Sequence, residues 1–368
     1  MKVPMRREND GPVGGHRRIM SASDETQPDL PRPPWPWRNG HMQTIWAAKL
    51  ALTSDGAPPK SGPQRQRWPT PDGDFIDVDT WWGAPEAPTV VLFHGLEGDS
   101  SSHYVSAFAH RAHVRRWTLR VPHFRGCSGE MNLRPRLYHA GDHEEIAWIL
   151  ARAKFEANGA PLFAVGISLG GNALAKHLAR VSLSPALDAP VAAAAIGAPL
   201  DLRAASEAIE RGLNRHLYTP MFLRSMRQKA ERKWAQFLTA QWRAFAPELD
   251  MTRVRAARTI RDFDDAFTAP LHGFDGVEDY WRRASAKPDL ATIAQPCLMV
   301  HAQDDPFVPV ASVRPHDLQN KALTWWQPRW GGHVGFVHAT GAGRWRGGIW
   351  RLPSAVLDWL DRQGGQGG

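Results

Sequence analysis

The sequence predicts an α/β protein: a mostly parallel central sheet with helices on both faces and a helical insertion late in the sheet. Three observations carry that expectation. From Thr89 onward, apolar runs of strand length alternate with helical periods, as in parallel sheets covered on both sides. One such run, Leu162 to Gly166, leads into Gly166-Ile-Ser168-Leu-Gly170 and then directly into a helical period. From about Asp201 to Ala286 the strand signals vanish, and they return at Cys297.

The elements follow in order. Residues 1–33 are polar, punctuated by Pro and Gly and without periodicity, so a disordered tail is expected. Two short strands are expected at Gln66 to Thr70 and Asp74 to Trp82, the second alternating apolar residues with acids. Thr89 to Phe93 is an apolar strand running into His94-Gly95. Trp117 to Val121, Leu162 to Gly166 and Val191 to Ile196 are further strands, with helices at Gly141 to Phe155 and Leu169 to Ala179. After the helical stretch come strands at Cys297 to Val300 and Leu323 to Gln327, and a closing helix at Ser354 to Arg362. This divides the chain into a core segment 34–200, a helical cap 201–288 and a second core segment 289–364. A cap inserted there covers the C-terminal ends of the strands, where ligands bind in such sheets.

Composition excludes several classes. Hydrophobic residues make up 42% and charged residues 22% of the 368, ordinary globular usage. The longest apolar run, about Ala189 to Leu200, is too short to cross a bilayer, and the N-terminus has no apolar signal core. Two cysteines, Cys127 and Cys297, have no metal-ligand spacing and read as reduced thiols of a cytoplasmic protein. The net charge of +8 is concentrated between Asp201 and Asp262, with 13 Lys/Arg against 7 Asp/Glu. No nucleic-acid-binding pattern accompanies it, so no nucleic-acid partner is expected. The excess is either a solvated helical face or a surface attracted to anionic lipid, giving peripheral membrane contact through the cap.

Gly166-x-Ser168-x-Gly170 between a strand and a helix is the form of a tight turn that exposes a serine hydroxyl. A serine needs a base to take its proton, and the base needs an acceptor to orient it. In this topology the partners follow in the order acid, then histidine. Asp304-Asp305 follows the strand ending at Val300, and His333 lies in Gly331-Gly-His-Val-Gly335 after the next strand. Asp305, four residues before Pro309, is expected to be the acid, and Asp304 to cap the turn. The oxyanion donors are expected to be the backbone N–H groups of Leu169 and Leu96. His94 and Gly95 shape that second turn and border the substrate. Arg125 either faces a substrate head group or pairs with an acid such as Asp142 or Glu144. His139 is expected at a helix start, and His338 to pack or be solvated. Neither a metal nor an organic cofactor is required.

These residues carry a family resemblance. His94-Gly-Leu-Glu-Gly98, Phe124-Arg-Gly-Cys-Ser-Gly129, Tyr138-His-Ala-Gly141, Gly166 to Asn172, Asp304-Asp-Pro-Phe307 and Gly331 to Gly335 are similar to motifs of the YheT-like family of α/β hydrolases. So are His41-Met-Gln-Thr-Ile45 and the run from Phe263 to Phe274 in the cap. The resemblance spans about residues 35 to 362. It implies the α/β-hydrolase fold and a serine hydrolase acting on short- to medium-chain or lipid-like carboxylic esters, with Ser168, Asp305 and His333 as its triad. Two other outcomes share these features: an acyltransferase on the same triad, or a ligand-binding protein without catalysis.

Overall fold

Eight strands form a single sheet in the computed structural model, in the order β1-β2-β4-β3-β5-β6-β7-β8. The structure describes residues 27, 28, 30, 33, 35, 37–56, 62–184, 188–239, 249–313, 318–340 and 347–365. Most of the expected tail therefore lies outside the described residues. In chain order the elements begin with helix α1 (Gly40–Lys49), followed by β1 (Gln64–Pro69), β2 (Phe75–Trp81), β3 (Thr89–Phe93), α2 (His103–Val114), β4 (Thr118–Pro122) and α3 (His143–Ala157). Next come β5 (Leu162–Ile167), α4 (Leu169–Val181) and β6 (Ala192–Ile196).

Between β6 and β7 the described chain is helical: α5 (Leu202–Ile209), α6 (Gly212–Leu217), α7 (Thr219–Phe237), α8 (Met251–Ala256) and α9 (Ile260–Phe263). A π turn (Asp264–Thr268) runs into α10 (Ala269–Leu271), and α11 (Val277–Ala284) follows. Then come β7 (Cys297–Val300), α12 (Val310–Val313), β8 (Leu323–Trp326) and α13 (Arg351–Gly364).

All neighbours from β4 to β8 across the sheet pair in parallel, whereas β2 is antiparallel to both β1 and β4. Alternation along each buried strand feeds two cores. Val91, Phe93 and Ala164 face α3 and α4, packing with Ile149, Leu174 and Leu178. Val90, Leu92, Phe163 and Val165 face α2 and α13, packing with Phe108, Leu357 and Trp359. Burying each such side chain contributes about 1.5–3 kcal/mol. The cap helices have a separate core built on Leu223, Phe237, Phe263 and Phe267.

Three helices outside the cap are absent from the sequence reading: α1, α2 and the four-residue α12. In α2, Val105, Phe108, Ala109 and Ala112 recur at helical spacing and are buried, although histidines obscure the pattern. In α1 only Gly40, Gln43 and Ala47 are buried, so no apolar stripe announces it. Asn39 starts it by accepting from the N–H groups of His41 and Met42 at 3.0 and 3.2 Å.

Candidate functional site

Ser168 sits between β5 and α4 with φ +51 and ψ −120, a strained conformation for a side chain with a Cβ. Its flanking glycines make the turn sterically feasible. A Cβ on Gly170 would lie 2.6 Å from the carbonyl oxygens of Phe93 and His94, and one on Gly166 would lie 2.6 Å from Gly170 O. Strand and helix could not pass otherwise.

Ser168, Asp305 and His333 come together at the C-terminal ends of β5, β7 and β8. The Ser168 hydroxyl donates to His333 Nε2 at 2.9 Å, and His333 Nδ1–H donates to Asp305 Oδ2 at 2.9 Å. The Asp305 side chain is fully buried, and the Phe307 ring packs 4.5 Å from the imidazole. In this arrangement the imidazole can take the hydroxyl proton while the carboxylate holds its tautomer.

The adjacent aspartates exchange the turn-capping role expected of Asp304. Asp305 Oδ1 accepts from the N–H groups of Phe307 and Val308 at 2.8 and 3.1 Å, capping its own turn. Asp304 instead reaches across to the histidine loop, accepting from the N–H groups of Gly331 and Gly332 at 2.8 Å each. Burial raises its pKa, with these donors acting against the shift. Two other residues missed in the sequence grip the same loop from α1. Thr44 Oγ1 accepts from His333 N–H at 2.8 Å, and Gln43 Oε1 from Val337 N–H at 2.7 Å. In the sequence both residues stand within the His41 to Ile45 motif, which carried no role for them; in the fold Gln43 is fully buried.

Ser168, His333, Leu96 and Leu169 line a cavity of about 160 Å³ beneath the cap helices. Leu169 is the first residue of α4, so its N–H lacks an intrahelical acceptor, as an oxyanion donor must. Most of the lining is apolar, including Leu202, Ile209, Phe222, Met226 and Phe267. Besides His333 and two tyrosines, its ionisable members are Glu97, Lys229, Asp264, His139 and His272. Asp264, from the π turn, accepts from Trp281 Nε1–H at 3.0 Å, and burial raises its carboxyl to about 6. His139 lines the wall rather than starting α3, whose N-cap is Asp142, and burial holds it down to about 3.

Two of the expected substrate contacts are structural instead. His94 is fully buried: its Nδ1–H donates to Gly95 O at 2.8 Å and its Nε2 accepts from Phe124 N–H at 3.0 Å. Burial holds it down to about 3, so it stays neutral and shapes the turn. Arg125 does not face the cavity. It is bound to Glu145, Asp72 and Asp74 in a buried network, because an unpaired guanidinium there would be costly. Its partners are therefore not Asp142 or Glu144. Gly95 backs the serine, with 3.2 Å from the position of its absent Cβ to Ser168 Cβ. His338 is buried, edge-on to Trp350.

The basic cap segment turns part of its charge inward and pairs much of the rest at the surface. Lys233 is fully buried and donates to the carbonyls of Asn132 and Arg134 at 2.8 Å, and Lys229 pairs with Glu97. Arg227 donates to Ala257 O, and Arg203, Arg211, Arg253, Arg255 and Arg261 are ion-paired. Trp242 and Arg243 lie outside the described residues. Among the described residues no cluster suited to a metal ion occurs, and no helix is long and apolar enough to cross a membrane.

Residues 88–339 match the family model for the alpha/beta hydrolase fold. The chain is 38% identical to YheT of Escherichia coli (strain K12), named as an esterase by inference, over 82% of this chain and 85% of that protein. It is 28% identical to phospholipase ABHD3 of Homo sapiens, covering 79% of this chain and 67% of the relative. Among solved structures, the acylaminoacyl peptidase of Pyrococcus horikoshii superposes with a TM-score of 0.50 at 14% identity, covering 82% of this chain and 41% of the other. That likeness shows the fold alone. By the extent of the family match and the identity to YheT, the chain belongs to the YheT-like family of α/β hydrolases.

Proposed function

We propose that the protein is a serine hydrolase that cleaves carboxylic esters through an acyl-enzyme, with Ser168 as nucleophile, His333 as base and Asp305 as the acid that orients it. The observation that carries this reading is the continuous hydrogen-bonded path from the Ser168 hydroxyl through the imidazole to Asp305, opening into an apolar cavity. Ser168 Oγ attacks the ester carbonyl, His333 takes its proton, and the oxyanion sits against the N–H groups of Leu96 and Leu169. The proton passes to the departing alkoxide, and water then cleaves the acyl-enzyme by the same route. The apolar lining favours a neutral acyl chain of short to medium length, as in simple esters or lipid-like ones.

The experiment is hydrolysis of p-nitrophenyl butyrate together with labelling by a fluorophosphonate. Ser168→Ala is expected to abolish labelling and lower kcat by about three to six orders of magnitude. A loss under tenfold overturns the assignment.

A peripheral contact with anionic lipid belongs to the same reading. It is supported by a stripe on α6 and α7 where Leu213, Leu217 and Met221 are 63, 49 and 54% exposed, next to exposed Arg215 and Arg224. The two free thiols, Cys127 and Cys297, accord with a cytoplasmic location.

A further inference from the structure

The turn that offers Leu96 has an unusual residue at its third position. Gly98 N–H donates to Gly95 O at 3.0 Å, closing a four-residue turn, and Glu97 occupies it with φ +55. Glycine or asparagine is favoured there, and a longer side chain costs about 1 kcal/mol or more unless its surroundings hold it. Its surroundings do hold it. Tyr138 Oη accepts from Glu97 N–H at 2.9 Å and donates back to Oε1 at 2.7 Å. Two residues of α7 complete the grip: Lys229 Nζ donates to Oε1 at 2.7 Å, and the Ser225 hydroxyl donates to Oε2. Burial alone would raise the Glu97 carboxyl, but these partners outweigh it and hold it ionised.

Ser225, Lys229 and Lys233 stand four residues apart, so they share one face of α7 and all three bond to the core. On the other side of Leu96, Gly95 N–H is held by Tyr104 Oη at 3.0 Å. The peptide carrying the Leu96 N–H is thus fixed on one side by the sheet's own helix α2 and on the other by a helix of the cap.

We propose that Glu97 is a positioning residue: α7, through Ser225 and Lys229, holds its carboxylate and so keeps the Leu96 N–H aimed at the carbonyl attacked by Ser168. The oxyanion site is then complete only while α7 is docked. This inference rests on the hydrolase reading above. It goes beyond it by making the cap part of the machinery that stabilises the transition state rather than only a wall of the cavity.

The test uses the full chain with Lys229→Met, Lys229→Arg and Ser225→Ala. The readouts are steady-state hydrolysis of p-nitrophenyl butyrate, inhibition by an alkyl trifluoromethyl ketone, whose serine adduct carries an oxyanion, and thermal unfolding. Deleting one oxyanion donor outright costs about 10²–10³ in kcat, so misaiming one is expected to cost about 10–100-fold. Lys229→Met should lose that factor in kcat with KM within threefold, and ketone inhibition should weaken in parallel. Lys229→Arg should recover part of both, and Ser225→Ala should lose at least threefold. If Lys229→Met does not fold, Ser225→Ala decides alone. Folded variants with kcat and ketone inhibition within twofold of wild type overturn the inference, as does a loss confined to KM. A wild type that takes no fluorophosphonate overturns this inference and the hydrolase reading together. Labelling of wild type alongside unaltered variants overturns this one only.

Discussion

Asp304 and Asp305 are chemically identical neighbours with separate partners, and those partners separate their contributions. Asp305 bonds the imidazole and caps its own turn, whereas Asp304 bonds only the backbone of the histidine loop. Asp305→Asn is expected to lower kcat by about 10⁴, the cost of presenting the imidazole with the wrong partner. Asp304→Ala leaves two backbone N–H groups without their acceptor and is expected to cost about 1–3 kcal/mol of stability, with a smaller fall in kcat. Thermal unfolding and p-nitrophenyl ester kinetics on the two variants check this contrast. Equal kinetic losses would remove the distinction. The spacing to Pro309 was enough to favour Asp305 from sequence. It was not enough to tell which carboxylate caps which turn, because the second turn, at Gly331 and Gly332, lies 27 and 28 residues further along the chain.

At the level of elements, α6 and α7 present two faces with different tasks. The inward face carries Ser225, Lys229 and Lys233, and the outward stripe carries Leu213, Leu217, Met221 and Arg224. If the outer stripe meets lipid, Leu217→Asp combined with Arg224→Glu should reduce co-sedimentation with anionic phosphatidylserine-containing vesicles at low salt several-fold. Binding to neutral vesicles should change less, and unchanged sedimentation returns the stripe to solvent. A charge count along the sequence does not reveal these two faces, since Lys229 and Arg224 look alike until the helix is packed. The strands and the serine turn were legible because their signals are local: an apolar run, then glycines at fixed offsets. Helix α1 was not, because its task is defined by Val337 and His333, 294 and 289 residues away from Gln43 and Thr44. The choice for Arg125 between a head group and an acid stayed open for the same reason, its acids lying in the turn before β2 (Asp72 and Asp74) and on α3 (Glu145).

The molecule as a whole carries many histidines that are buried and neutral. Burial holds His94 and His139 down to about 3, and His103, His177 and His338 to about 4. The unfolded chain binds these protons below about pH 6.5, so stability is present above that pH and is lost as it falls toward 4. At pH 5 the fully buried His94 alone accounts for a loss on the order of 2 kcal/mol. Asp74, Asp77 and Asp79 are held below their ordinary value because their arginine, histidine and polar partners outweigh burial, and they add to the loss below about pH 4. Two buried carboxyls oppose it, Glu145 and Asp264, both raised by burial and the second to about 6, but five histidines outnumber them. The melting temperature is therefore expected to fall by well over ten degrees between pH 7.5 and 4.5, measured by circular dichroism. A flat profile would show that these imidazoles are not sealed from water.

The gripping of the His333 loop by Thr44 and Gln43 ties together distant parts of the chain. His333 follows Ser168 by 165 residues, so a chain cut short before β8 holds the serine turn without the imidazole that bonds it. A chain that loses α1 should lose its hold on the histidine loop as well. Segments 289 and 294 residues apart thus act as a clasp on the loop that carries the imidazole.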